Sequence, residues 1–269
     1  FGTASAGTGT PAAGKLNVTT DGGVGDAGGI FVQSGEALTV GTLNTADATS
    51  QNITIAGTAI TLAGDGGAYA LDSDVVTINP TGAFTLSQAL NLGSLSVSGG
   101  TTITISNAIT TANSTTGASG GISLSGSGAV ALNAALATGT SNIAESGGAD
   151  TATTGSISVT STGGAITGNA SGTLTTGAAT VDGTTNNDSA TSGTVTLNAS
   201  GAIELVAADA LKVGNATVTN GNAGDTATTG NITVSSADKL SSNGASGQVD
   251  VSFGTASAGT GTPAAGKLN

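Results

Sequence analysis

The hydrophobic and polar residues of this chain alternate in short runs that stop and restart many times. Two apolar residues one position apart occur in KLNVTT, GIFVQS, NITIAG, VVTINP, SLSVSG, TITISN, GISLSG, SISVTS, TVTLNA, NITVSS and QVDVSF. Gly, Ser, Asn or Asp usually bounds each run. Period-2 alternation is typical of β-strands with one buried face, and no apolar stripe at helical spacing persists. The pattern therefore predicts an all-β chain.

One register of this alternation predicts which side chains are buried. In NITIAG, Ile53 and Ile55 should face the core while Asn52 and Thr54 face the other way. Over the whole chain we expect these core residues: Leu16, Val18, Ile30, Val32, Ile53, Ile55, Val76, Ile78, Ile122, Leu124, Ile157, Val159, Val195, Leu197, Ile232 and Val234. Charged residues that alternate with apolar neighbours should face solvent, namely Glu204, Lys212 and Asp250.

Many of these strands are followed by two further short apolar segments. The second segment has the form of TAITLAG, GAFTLSQ, GAVALNA, GGAITGN or GAIELVA, and the third that of QALNLG, AALATG, GTLTTG or DALKVG. Three strands separated by corners form one coil of a three-sided solenoid. The sequence thus predicts a parallel β-helix, or β-solenoid. A coil of roughly 21 residues gives about 12 coils in 252 residues.

The spacing between successive first strands is uneven. Ile30, Ile53 and Val76 follow one another at a constant offset of 23 in residue number, whereas the offsets from Ile122 through Ile157 and Val195 to Ile232 are 35, 38 and 37. Each longer step predicts two coils, or one coil with a long corner loop. The long corners resemble one another, as GADTATTG, NDSATSG and GDTATTG. Proline would interrupt a central strand, so Pro11, Pro80 and Pro263 are expected at corners.

The longest repeat joins the two ends of the sequence. Residues 1–17, FGTASAGTGTPAAGKLN, recur unchanged as residues 253–269, an offset of 252. We interpret residues 1–252 as one complete solenoid repeat and residues 253–269 as the start of the next identical repeat. A copied tail is the alternative explanation. Under the tandem interpretation, residues 15–17 and 267–269 should occupy equivalent places one repeat apart.

The composition restricts the function. Gly accounts for 46 of the 269 residues, only 2% are aromatic, and His, Cys and Arg are absent. Ser-His-Asp triads, thiolate nucleophiles and His or Cys zinc sites are therefore excluded, and we expect neither enzyme activity nor a cofactor. The net charge of −12 and four isolated lysines argue against nucleic acid and anionic membranes as partners. No apolar run approaches the length of a membrane span.

A few motifs could carry chemistry. Asp72 and Asp74 in LDSDVV would share one side of an extended segment, as glycosidase or calcium sites can require, but a polar corner before the strand at Val75 is the favoured interpretation. GGVGDAGGIF at 22–31 resembles a calcium-binding nonapeptide but occurs once. TASAGTGTPAAGK at 3–15 contains GTGTPAAGK, which lacks the spacing of a phosphate loop, and the whole segment should form a long corner.

Three surface functions remain open on sequence grounds. Thr-x-Thr pairs in TTITIS, ATVTNG and GTVTLN could bind ice, a remote alternative because they occur in only some coils. A glycan platform needs exposed aromatic residues, and the chain has few: Tyr69, Phe31, Phe84 and the Phe1/Phe253 pair. Divalent cations could bridge corner aspartates such as Asp21, Asp47 and Asp182 and so bundle fibres.

The runs GNITVSS, GSISVTSTGGAITGN and GTVTLNASGAIELVA resemble the repeat region of filamentous-haemagglutinin-type adhesins, which are secreted as right-handed parallel β-helices by two-partner secretion. The resemblance therefore implies that the β-helix expected here is right-handed. The resemblance implies the shaft of an extracellular, cell-surface fibre, with copies of the repeat joined end to end. It implies no nucleic-acid partner and no membrane insertion, and any glycan or cell-surface ligand would bind through other domains. The alternative is a self-assembling filament, sheath or matrix polymer without an adhesin tip.

Overall fold

The computed structural model describes residues 15–20, 29–45, 50–64, 69–144, 146–184, 187–241 and 249–269. In these ranges the chain forms strands, bridges, turns and irregular structure, with no helix. Accordingly, no described segment is a helix of the length and apolarity needed to cross a membrane. The all-β prediction is confirmed.

Thirty short strands follow one another along the described chain. The first ten are β1 (Leu16–Thr20), β2 (Ile30–Gln33), β3 (Leu38–Thr45), β4 (Asn52–Gly57), β5 (Ile60–Leu62), β6 (Tyr69–Pro80), β7 (Ala83–Leu86), β8 (Leu90–Ser98), β9 (Thr102–Ile105) and β10 (Ile109–Thr111). The next ten are β11 (Ile122–Gly126), β12 (Val130–Leu132), β13 (Leu136–Ala137), β14 (Ser141–Ile143), β15 (Thr151–Thr153), β16 (Ile157–Ser161), β17 (Ile166–Gly168), β18 (Leu174–Thr175), β19 (Ala179–Asp182) and β20 (Ser189–Thr191). The last ten are β21 (Val195–Ala199), β22 (Ile203–Leu205), β23 (Leu211–Val213), β24 (Ala216–Thr219), β25 (Thr226–Thr228), β26 (Ile232–Ser236), β27 (Leu240–Ser241), β28 (Val251–Phe253), β29 (Ala256–Ser257) and β30 (Thr262–Ala264).

Twenty-two of these strands form one parallel sheet that contains three ladders. The first ladder joins β2, β4, the end of β6, the end of β8, β11, β16, β21 and β26. The second joins β3, β5, β7, β9, β12, β17, β22 and β27. The third joins the start of β6, the start of β8, β10, β13, β18, β23 and β28. Each coil supplies one strand to each ladder in turn, which is consistent with a β-solenoid; the right hand and the coil count stay predictions.

The core follows the register expected from the alternation. Along the first ladder, Ile53 pairs with Val76 and Ile122 with Ile157, so equivalent apolar residues stack on one another. Twelve of the sixteen residues expected in the core are buried, and the other four, Leu16, Val18, Val32 and Val234, are partly buried against it. Asn52 is exposed and Thr54 is half-buried. The predicted register is therefore confirmed.

The charged residues within strands also lie as expected. Lys212 and Asp250 are exposed and Glu204 is half-buried. The neighbours of Glu204 and Lys212 are buried in the core, namely Ile203, Leu205, Leu211 and Val213. The alternation of charge and apolar residue thus places the charge outside.

The long steps hold neither two coils nor a loop. In each, the chain leaves the third ladder, forms two more strands and returns to the first. These extra strands build two four-stranded parallel sheets, β14-β19-β24-β29 and β15-β20-β25-β30, which contact each other. Between them lies a second, alanine-rich core that includes Ala152, Ala190, Ala227 and Val181. We call this part the lobe.

The lobe joins the main tube through a neck at which the chain crosses twice per coil. Each crossing is a glycine that follows a buried hydroxyl residue, as in Thr154-Gly155 and Thr176-Gly177. The Thr176 hydroxyl donates to the Gly193 carbonyl of its own coil at 3.2 Å and accepts from the Gly214 amide of the next coil at 3.1 Å. Thr154 likewise donates to the Gly177 carbonyl at 3.1 Å and accepts from the Gly193 amide at 2.7 Å. The neck is thus a zigzag of buried, satisfied hydrogen bonds that ties each coil to the next.

We expect Gly193→Ala to lower the free energy of unfolding by about 1–3 kcal/mol, because overpacking a filled site forces the backbone apart. An alanine Cβ at this position would lie 2.0 Å from the Gly155 carbonyl oxygen. Urea unfolding followed by circular dichroism measures the effect. Gly148→Ala is the matched control, since a Cβ at Gly148 meets no atom within 4 Å. Equal stabilities of the two variants would contradict the close packing at the neck.

One expectation about the repeated segment is wrong. Leu16 pairs with Val40 of the second ladder, whereas Leu268, its copy, pairs with Ile232 of the first. Leu268 stacks on Ile232, which comes before it in the chain. Leu16 pairs with Val40, which comes after it. The first copy of GTGTPAAGK, which is expected to lie in a long corner, falls almost wholly outside the described residues. The second copy, at 259–267, does not form one long corner. It contains β30, in which Pro263 pairs with Ala227.

One of the two described prolines lies at a strand end beside a turn, and the other lies inside a strand at the edge of a sheet. Pro80 is the last residue of β6, beside a turn, as expected. Pro263 lies inside β30, which pairs only with β25 among the described strands. A strand at a sheet edge tolerates proline because the missing amide faces away from the ladder. Pro11 lies outside the described residues.

Candidate functional site

Asp72 and Asp74 lie at the corner of the tube between the third ladder and the first, directly before Val75, as the favoured interpretation predicts. Both belong to β6, at the point where its pairing with β8 shifts register between Leu71 and Val75. The Asp74 side chain is 1% exposed, and its Oδ1 accepts the Gln51 amide of the preceding coil at 2.8 Å. A carboxylate engaged in this way fixes the stacking of two coils. That role differs from the open carboxylate pair that a glycosidase or calcium site needs.

Buried aspartates recur at the outer end of the lobe, where the sequence pattern indicated only corners. Asp150, Asp188 and Asp225 are 8%, 1% and 0% exposed. The Asp150 amide donates to Asp188 Oδ1 at 2.8 Å, and the Asp188 amide donates to Asp225 Oδ1 at 2.9 Å. The Asp188 and Asp225 carboxylates therefore each accept the amide of the equivalent aspartate one coil earlier. The Asp shared by GADTATTG, NDSATSG and GDTATTG was the sequence signal for this aspartate ladder.

In Asp150 and Asp225, carboxylate oxygen Oδ2 closes a local turn. Asp150 Oδ2 accepts the Ser146 amide at 2.8 Å and Asp225 Oδ2 accepts the Asn222 amide. Buried carboxylates that accept backbone amides in this way are structural elements of the stack. Over the described ranges, no three His, Cys, Asp or Glu side chains come together as a metal site.

The exposed corner aspartates give no cation site that can be described. Asp182 is exposed, and its Oδ1 accepts from Thr219 Oγ1 at 2.8 Å and from Asn220 Nδ2 at 3.2 Å. Asp21 and Asp47 lie outside the described residues, as does most of GGVGDAGGIF. Fibre bundling by divalent cations remains a prediction.

The threonine pairs expected from the sequence do not share a face. Thr102 and Thr104 lie in the second ladder, Thr196 in the first, and Thr217 and Thr219 in the lobe. A different set does align: Thr151-x-Thr153, Ser189-x-Thr191 and Thr226-x-Thr228 stack in register on the lobe. The next rung departs from this pattern, since Thr262 is followed two residues later by Ala264. Ice binding therefore stays a remote alternative.

The described aromatic residues do not form a platform. Phe84 is fully buried, and the buried Tyr69 hydroxyl donates to the Val40 carbonyl at 2.8 Å and accepts the Gly64 amide at 3.0 Å. Phe31 is 70% exposed on the first ladder, beside Thr54 of the next coil. One exposed ring per stack is far from the aromatic surface that a glycan would need.

One cleft of about 290 Å³ lies where the lobe begins, and its lining includes Val75, Ser94, Asn113, Ser114 and Ala118. The lining carries no charged side chain, and it offers hydroxyl, amide, backbone and small apolar groups. The cleft therefore lacks the paired titratable groups that catalysis would need.

The surface with the most evident capacity for interaction is the last rung of the stack. Leu240 and Leu268 are 51% and 58% exposed, and Val251 and Phe253 are half-buried. Beneath this rung the same apolar columns are closed to solvent. Apolar columns and open ladder edges at the end of a parallel stack are a template for one more coil. We take this stacking surface as the candidate functional site.

No protein-family model, no curated protein and no solved structure matches this chain.

Proposed function

We propose that this chain is the structural shaft of an extracellular fibre built from tandem β-solenoid repeats, such as the stalk of a giant cell-surface adhesin. One observation supports this most directly. The second copy of the repeated segment stacks on the first repeat in register: Ala256 on Ala216, Thr262 on Thr226 and Leu268 on Ile232. The start of a second repeat thus continues the ladders of the first.

The mechanism of such a shaft is mechanical. Stacked coils pair backbone amides along the axis, and aligned apolar columns exclude water from the interior. Solenoid stability is close to a sum over neighbouring coils, so added repeats lengthen the fibre without a new folding problem. One repeat would add about 55–60 Å if it held about 12 coils, at about 4.8 Å per coil. Because each long step advances the first ladder by a single rung, we expect fewer coils and a shorter rise.

The charge distribution fits a fibre that stays separate from its neighbours. The chain carries a net charge of −12, and exposed acidic residues such as Asp182, Asp209 and Asp238 lie at turns and strand ends. Like charge along parallel fibres opposes lateral association. The expected partners are therefore further copies of the repeat along the axis.

A two-repeat chain tests whether stacking continues across the join. We expect its particles in electron micrographs to be single straight rods, longer than the one-repeat chain by one constant increment. An increment of about 55–60 Å would agree with about 12 coils, and a shorter increment would lower the coil count. Two separate particles joined by a flexible tether, or one rounded particle, would overturn the proposal.

Substitution at the join gives a sharper readout. In the one-repeat chain Leu268 is 58% exposed, so Leu268→Asp should cost less than about 0.5 kcal/mol, as surface changes do. In the two-repeat chain the following coil would cover this residue, and the same change should cost several kcal/mol. Asn269→Asp, one residue further and on the alternate face, is the matched control. Equal costs in the two chains would mean that the stack stops at the join.

The runner-up, a filament or sheath without an adhesin tip, uses the same stacking surface. Sequence flanking the array separates the two: a distinct terminal domain would make the shaft a stalk, and an array with only end caps would make it a filament. Any glycan or cell-surface ligand belongs to such a terminal domain in this proposal.

A further inference from the structure

The lobe accompanies only part of the stack. From Ile122 onward, first-ladder residues follow at offsets of 35, 38, 37 and 36 in residue number, ending at Leu268, and each step contains two lobe strands. The offsets from Ile53 to Val76 and from Val76 to Leu95 are only 23 and 19. In these short steps the described strands belong to the three ladders alone.

The short steps have too few residues to include an excursion through the lobe. One excursion through the lobe, from Gly177 to Gly193, takes an offset of 16. The step from Val76 to Leu95 would then have three residues left for its ladder strands, fewer than the ladders require. The coils between Ile53 and Leu95 therefore have no lobe strands, whatever precedes or follows them.

The lobe begins with a reduced rung. The step from Leu95 to Ile122 has an offset of 27, and its excursion makes two isolated bridges, Ser114 with Ser141 and Ala118 with Thr153. The Asn142 amide donates to the Ser114 carbonyl at 2.9 Å, and the Ser141 hydroxyl donates to the Gly117 carbonyl. Residues of this rung and the residues Val75 and Ser94 line the cleft described above. It forms a shoulder between a thin and a thick section of the stack.

We propose that the fibre alternates between thin and thick sections, with the lobe recurring as a flange once in every tandem repeat. This inference rests on the proposed tandem array. Successive lobes are separated by at least the two short steps, about 10 Å at about 4.8 Å per coil. Within this thin section the three ladders alone connect one coil to the next. The array is therefore continuous along the tube and discontinuous along the lobe.

A chain of four tandem repeats tests this by electron microscopy with two single-cysteine labels. The chain has no cysteine, so Thr226→Cys, exposed on the lobe, and Ser87→Cys, exposed on a thin coil, each carry one maleimide-gold particle per repeat. We expect rods with one lateral bulge per repeat. Thr226 labels should lie on the bulges and Ser87 labels between them.

The outcomes separate this inference from the proposed function. A continuous rod of uniform width, or Ser87 labels that coincide with the bulges, would overturn the alternation and leave the fibre intact. A string of separate particles, or a rounded aggregate, would overturn the tandem fibre itself. Four bulges on one continuous rod would support both.

Discussion

The Ile55→Asp variant should lose about 4 kcal/mol or more of unfolding free energy, because the change removes buried packing and buries an unpaired charge. Ile55 is fully buried in the first ladder, where it stacks between Val32 and Ile78 of the adjacent coils. The lost packing alone is worth about 2–5 kcal/mol, and the new carboxylate would lie among apolar side chains. Because neighbouring coils stabilise one another, the damage should extend to the coils on both sides.

Urea unfolding and amide hydrogen exchange measure this effect together. Exchange should quicken at residues 30–33 and 75–80, which pair with β4, and remain slow in β21 and β26. Thr54→Asp is the matched control, since Thr54 lies on the opposite face of the same strand, and its cost should stay within about 0.5 kcal/mol. A larger loss for Thr54→Asp than for Ile55→Asp would contradict the register.

The Asp225→Ala variant should lose about 3 kcal/mol, a large effect for a polar residue, because the buried Asp188 amide and the half-buried Asn222 amide lose their acceptor. The Asp225 carboxylate is fully buried and accepts the amides of Asp188 and Asn222. Each such loss costs about 1–3 kcal/mol. The lobe should therefore loosen at its outer end while the main tube stays folded.

Two further substitutions locate the origin of that loss. Asp225→Asn keeps one acceptor oxygen and should lose an intermediate amount. Asp182→Ala removes an exposed carboxylate of the same lobe and should change stability by less than about 1 kcal/mol. Amide exchange at Asp188 and Asn222 is the direct readout, and unchanged protection there in Asp225→Ala would refute the aspartate ladder.

Both predictions concern buried positions, but the sequence revealed only one of them. Ile55 belongs to a period-2 pattern that identifies its buried face without knowledge of its neighbours. Asp225 stands in a Gly-rich segment that is typical of a solvent-exposed corner. Its burial depends on the amide of Asp188, which belongs to the preceding coil. The pattern of neighbouring residues in the sequence does not show a hydrogen-bond partner that lies in another coil.

The lobe shows the same division on a larger scale. Its inner positions are filled largely by Ala, as at Ala152, Ala190 and Ala227, and Ala between Thr or Ser residues gives a weak apolar signal. The spacing showed that the long steps held extra residues. It did not show that those residues pair with the equivalent residues of the next coil.

The sequence by itself determined the strands, their buried faces and the repeat, because each is encoded within a few residues or by identity at a fixed offset. Only the tertiary structure decided what depends on stacking: the second core, the glycine neck that lets two backbones approach, the buried aspartates, and the ladder that each copy of Leu16 joins. These features depend on contacts between residues of successive coils, which are far apart in the chain. Hydrogen bonds and burial between coils override the local preference of these segments for a corner.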